Sequence, residues 1–240
     1  MEAKKVIKKY YFYLTLLIFI IAIFIGIFII INIKVPNYNE ASLYYLILMV
    51  FFIAILLYFR QLLYSYNNLA RIAKVILNQD KPLRYKKNPI IHKDYFIKNN
   101  FDTFTNNENY IIYYKNEPNR VLKFKKINII TLILILKKND LDFYDKTLHE
   151  DINKLEATFS KKEFPNKYVI AAFKEFNGIN KEDLKSISEV VSYSRLKQTY
   201  VQINVGLNKA DKLAYLLYSN SYYPSGYYKE AVDLIKDILL

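Results

Sequence analysis

Asp140 and Asp142 stand two residues apart just after a continuous apolar, β-rich run, and Glu175 follows the next such run. Carboxylates gathered at neighbouring strand ends are what Mg²⁺ prefers, a few acids completed by water and substrate phosphates. On that reading Asp140, Asp142 and Glu175 form a candidate Mg²⁺ site for phosphoester hydrolysis. The same acids suit a plainer role. An Asp at a helix start accepts hydrogen bonds from free backbone N–H groups and complements the helix dipole. Lys137 and Lys138, lying between the strand and Asp140, set this segment apart from strand-end DxD motifs. Capping therefore outweighs metal binding.

Other reactive residue types offer less. His149 has Asp145 one turn earlier and Glu150 and Asp151 beside it. An Asp/His pair at i, i+4 suits a metal or a base with its orienting acid, but no nucleophile or third ligand is in reach, so a solvated helix face is the reading. His92 sits in a basic stretch without a readable partner. There are no cysteines and only two histidines, which excludes disulfides and thiolate chemistry and leaves structural zinc short of ligands. Four glycines (Gly26, Gly178, Gly206 and Gly226) cannot write a phosphate-cradling loop or a dinucleotide fingerprint. Ser186, Ser188, Ser192 and Ser194 fall on an expected helix, without the strained turn a serine nucleophile uses. Tyr222, Tyr223, Tyr227 and Tyr228 bracket Pro224-Ser225-Gly226. They read as packing for a last helix capped by Ser225, or, if exposed, as a binding surface. No catalytic or cofactor-binding residue is assigned.

The elements that must position these residues are legible as strands alternating with helices. Apolar runs at 127–136, 167–173 and 199–205 read as buried strands, and the stretches 142–159, 181–197, 209–219 and 227–239 as helices. Residues 109–115 and 120–125 read as two further strands joined by a turn at 116–119. Such alternation predicts βαβ units and a mixed, mostly parallel sheet, with an α+β arrangement as the alternative. This α/β domain is expected over 109–240. Residues 83–108, polar and basic, read as a linker.

The chain before it is of another kind. Residues 16–31 are all apolar, and 11–33 would span about 34 Å as a helix, enough for a bilayer core. A second apolar run at 43–59 ends at Arg60. Tyrosines cluster at both edges of the pair, as an aromatic belt would. The first run outlasts a signal-peptide core and lacks a small-residue cleavage site, so the two read as a transmembrane hairpin over 1–60. The second helix is expected to continue, with Leu62, Tyr66, Leu69, Ala73 and Ile76 in a heptad seam, until Pro82 stops it. That seam fits either an amphipathic helix resting on lipid or on its own domain, or a homodimer.

Charge supplies orientation. The net charge is +13; residues 1–9 and 60–126 hold twelve of the excess charges, and 127–240 is nearly balanced. Lys4, Lys5, Lys8, Lys9, Arg60, Arg71, Lys74, Arg84, Lys86 and Lys87 form the expected membrane-surface set, attracted to an anionic inner leaflet. The positive-inside rule then places both termini in the cytoplasm of a multi-pass cell-membrane protein. Nucleic acid is disfavoured as a partner, since the basic excess does not lie on the expected domain. The leading reading is a membrane-anchored interaction or scaffold module with a protein partner or a second copy. The Mg²⁺-dependent hydrolase comes next, and an accessory subunit of a transport or secretion complex third.

Overall fold

The computed structural model describes residues 3–91, 94–122, 125–138, 140–195 and 198–240. It divides into two compact units, Met1–Leu77 and Asn78–Leu240.

The first unit is a pair of long helices, α1 (Ala3–Lys34) and α2 (Tyr38–Leu77). Pro36 makes helical geometry unfavourable at Val35 and so ends α1. Asn37 restarts the chain by accepting from the Asn39 N–H at 3.1 Å. The helices run antiparallel, and Phe28 meets Tyr45, Phe24 meets Phe52 and Tyr13 meets Tyr66 along the seam. Both are long and apolar enough to cross a membrane, and their most apolar windows are 0% and 6% buried. Neither window is buried within the chain, as the core helix of a soluble domain would be. The expected heptad seam is half used within the hairpin. Ala73 packs with Ala70 against Val6 of α1, and Tyr66 against Tyr13, whereas Leu69 and Ile76 stay exposed.

The second unit is built on one open sheet. Its strands are β1 (Leu83–Arg84), β2 (Asp102–Asn106), β3 (Tyr110–Leu122), β4 (Lys125–Leu136), β5 (Lys167–Phe176), β6 (Val191–Arg195), β7 (Gln198–Asn208) and β8 (Leu213–Tyr215). The order is β1-β8-β7-β5-β4-β3-β2, with β6 on the amino-terminal half of β7 and β8 on its carboxyl half. Only β4–β5 and β5–β7 are parallel, and the other five pairings are antiparallel. The mostly parallel sheet is therefore corrected to a short parallel centre with antiparallel wings. Segments expected as linker, turn or helix supply those wings.

Each departure has a physical cause. The 83–108 stretch contributes β1, the short helix α3 (Asp94–Lys98) and β2; Phe96 of α3 is fully buried and stacks on Tyr113 at 4.4 Å. No turn forms at 116–119: β3 runs through, and the register with β4 slips between Glu117 and Arg120. Pro118 fits there because β2 covers only residues 111–114 of the other edge, so its missing N–H breaks no ladder bond. The expected helix at 181–197 stops early, as α5 (Lys181–Ser188). Beyond it Val191 and Tyr193 pair with β7, where residues suited to a pleated surface are favoured. The expected helix at 209–219 is β8 and a coil instead.

Helix α4 (Lys146–Ala157) joins β4 to β5, α5 lies between β5 and β7, and α6 (Gly226–Leu239) closes the chain. Leu148, Ile152 and Leu155 of α4 and Ile187 of α5 bury one face of the sheet against Ile130, Leu132, Leu134, Ile170 and Ala172. Helix α6 covers the opposite face over β5 and β7. Tyr110 ties α4 to the sheet by donating to Asp151 at 2.9 Å. Asp151, read from sequence as solvated, is held ionised by Lys154 and this hydroxyl, which lower its pKa.

Burial of tyrosines gives this unit an alkaline limit. Tyr144 is raised to about 12, chiefly by burial, and Tyr168, Tyr200 and Tyr228 are raised by burial as well. The folded state keeps these protons where the unfolded chain would release them. Their contribution is intact below pH 10, the ordinary value, and is lost as pH climbs through the raised values. A pH titration should show exposed tyrosines ionising smoothly, then a cooperative rise in tyrosinate absorbance together with loss of β-sheet circular dichroism. A single smooth rise centred near the ordinary value would contradict this.

Candidate functional site

The parallel strands β4, β5 and β7 follow one another in a single direction, so both crossover helices fall on one face. Among the described residues the strand order shows no reversal of the kind that opens the usual ligand crevice in such sheets. The two faces at the carboxyl ends must be considered separately, because successive residues of a strand point to opposite sides.

On the α4/α5 face, Lys174 stands near the end of β5 and is only 9% exposed. Its ammonium donates to the Leu141 carbonyl at 2.8 Å, and lies 6.0 Å from the Phe143 ring centre and 5.2 Å from that of Phe176. Burial pushes its pKa down, while Asp142, Asp183 and Asp140 oppose the shift. Asp142 accepts from the Tyr144 N–H at 2.7 Å, making a tight turn before α4, and Asp140 is exposed. Asp145 caps α4, accepting from the Thr147 N–H at 2.8 Å.

Glu175, the next residue along β5, points to the α6 face. It accepts from Asn88 at 2.9 Å and pairs with Lys209 at 2.8 Å. The three acids read as a metal set are thus split: Asp140 and Asp142 face Lys174 on one side, and Glu175 is spent on the other. Among the described residues no three His, Asp or Glu side chains are grouped to hold a metal ion.

Glu175 instead sits in a polar cleft of about 240 Å³, lined by Ile90, Leu136, Lys137, Glu175, Asn177 and Lys209. Ile90 lines it from the segment 85–91, which is anchored at its start. The Tyr85 hydroxyl donates to the Asn208 carbonyl at 3.3 Å, and the Lys86 and Lys87 N–H groups donate to the Leu239 carbonyl at the end of α6. Lys137 donates to the Asn106 side chain at 2.9 Å and to the Asn107 carbonyl. Lys209 is set by its own N–H bond to the Phe176 carbonyl, 3.0 Å. No family model, curated protein or solved structure matches this chain.

A second polar group, on the α4/α5 face, is closed rather than open. Gln202 and Asn204 of β7 are fully buried. Asn204 donates to the carbonyls of Glu189 and Ser186 at 2.9 and 3.0 Å, and Gln202 to the Phe143 carbonyl at 3.2 Å. Tyr144 donates to the Glu189 carbonyl at 2.7 Å. The network satisfies the carbonyls freed where α5 ends, which is why that helix stops there. Its role is positional.

The remaining sequence candidates separate likewise. His149 stacks on Tyr144 at 6.5 Å between ring centres, and its N–H bonds the Asp145 carbonyl. His92 lies outside the described residues. Ser225 caps α6, accepting from the Tyr228 N–H at 3.1 Å, and Tyr228 is fully buried. Of the cleft, the sequence had singled out Glu175 and noted Lys137 after β4. Asn88 and Ile90 were not singled out, since they lie in the stretch expected as linker.

Proposed function

We propose that this chain is a membrane-anchored interaction module. The hairpin spans the bilayer with both ends in the cytoplasm, and the Asn78–Leu240 unit engages a protein partner. The observation that carries the reading is the apolar hairpin surface: Phe12, Phe19, Ile30, Ile33, Leu46 and Phe51 are each at least 59% exposed. Apolar area in water is unfavourable by about 25 cal/mol per Å², so this surface needs lipid or protein around it. The basic residues on either side favour an anionic inner leaflet. The hydrolase reading weakens because its acids occupy two faces.

With no native cysteine, topology is open to a clean test. A Lys34→Cys variant should react with a membrane-impermeant maleimide in intact cells, and an Asn99→Cys variant only after permeabilisation. The reverse pattern would invert the orientation, and release of the protein by alkaline carbonate would end the spanning reading. For the partner, crosslinking in native membranes should yield a discrete species heavier than the chain. A chain that stays at monomer mass across crosslinkers would count against an interaction module.

A further inference from the structure

We infer that the cleft at the carboxyl ends of β4, β5 and β7 is a binding site for a small molecule bearing a phosphate or carboxylate group, held by Lys137 and Lys209. This goes beyond the membrane reading and does not rest on it.

Charge decides the sign of the ligand. Two ammonium groups and one carboxylate line the cleft. Both oxygens of Glu175 are engaged, one by Lys209 at 2.8 Å and one by Asn88 at 2.9 Å. That carboxylate therefore orients the lysine and Asn88, leaving little to offer a cation. Lys137 makes no ion pair among the described residues; its partners are the neutral oxygens of Asn106 and Asn107. An ammonium has three donors, so Lys137 has a further one to give to an incoming oxyanion. A concave site with one sign of charge in excess concentrates the opposite ion.

Size and preorganisation limit the class. A volume of about 240 Å³ is below that of sites for drug-sized ligands, so the occupant is a small phosphate ester or carboxylic acid. Ile90 supplies an apolar contact for its carbon portion, and Asn177 stands at the margin as a polar contact. The segment 85–91 is already anchored at its start by Tyr85 and by the end of α6, so binding requires little ordering of the chain.

The test uses the intact chain in zwitterionic-lipid nanodiscs, at constant ionic strength. Thermal unfolding is followed while inorganic phosphate, glycerol phosphate or succinate is titrated against chloride. A saturable rise in midpoint is expected for at least one of them. In Lys137→Met the apparent affinity should fall at least tenfold. A Lys146→Met control, on an ammonium 90% exposed on α4, should leave it unchanged. A second arm replaces the lipid with an anionic one. A Lys137-dependent shift with anionic lipid and none with the soluble anions would name a headgroup as the source of the same oxyanion. No saturable shift in either arm, or one equally strong in Lys137→Met, would overturn the site. Should Lys137→Met unfold, Lys137→Gln supplies the same comparison with its hydrogen bonds largely kept.

Discussion

Replacing Gly206 with Ala is expected to destabilise the α/β unit by roughly 2–3 kcal/mol. Gly206 lies on β7, directly beside Lys174 of β5, and Ile187 of α5 closes over it. A Cβ added there would lie 2.2 Å from Ile187 Cδ1, 3.0 Å from Ile187 Cγ1 and 3.2 Å from Phe176 Cε2. Ile187 is only 2% exposed, so the terminal methyl has little room to swing away. Either α5 lifts from the sheet or the core repacks around a strained isoleucine. The partner substitution makes the argument specific. Ile187→Val deletes the Cδ1 atom, so the double variant should recover much of the loss, although Ile187→Val alone is itself destabilising. Chemical unfolding followed by circular dichroism measures all three. If the two losses simply add, the strain lies elsewhere.

Asn204→Asp is expected to be worse still, at about 3–5 kcal/mol near neutral pH. The change keeps the shape and exchanges a donor for an acceptor. Asn204 now donates to two carbonyls, those of Ser186 and Glu189. An aspartate would face both with negative charge in a position that has no exposure to water. Burial and the two carbonyls would raise its folded pKa above the ordinary value near ~3.9. The deficit is therefore full above the folded pKa and shrinks as pH falls through it, when the carboxyl regains a proton to donate. Unfolding measured near neutrality and again in mild acid should show this narrowing relative to the parent chain. Equal deficits at both would mean that the side chain has turned out to solvent and β7 has rearranged.

How much of this was legible in sequence follows from the range of the forces involved. The pair of long helices could be read directly, because long unbroken apolar stretches are local facts. The buried strands β4, β5 and β7 were equally plain as β-rich apolar runs, and α6 announced itself through Ser225 and a regular apolar period. Helix α5 was right in its start, where Asn180 and Asp183 form a reciprocal cap, and wrong in its end. Nothing near residue 188 signals a stop. The stop comes from Asn204, sixteen residues on, and from a hairpin between β6 and β7 that offers Val191 and Tyr193 a partner.

The candidate site divides in the same way. Sequence alone determined which charged residues end the strands: Lys137 after β4, Glu175 within the end of β5, and Lys209 after β7. It also determined that each of the first two helices holds a long apolar run, since that depends only on composition over about twenty residues. Only the tertiary structure decided which of those charges meet. Alternation sends Lys174 and Glu175 to opposite faces, so Asp142 and Glu175, close in a list of strand-end acids, lie on different sides of the sheet. The same geometry brings Asn88 across 87 residues of chain to Glu175. Side-chain direction in a strand reverses with each residue, while the pairing that sets its neighbours is a long-range choice; composition carries neither.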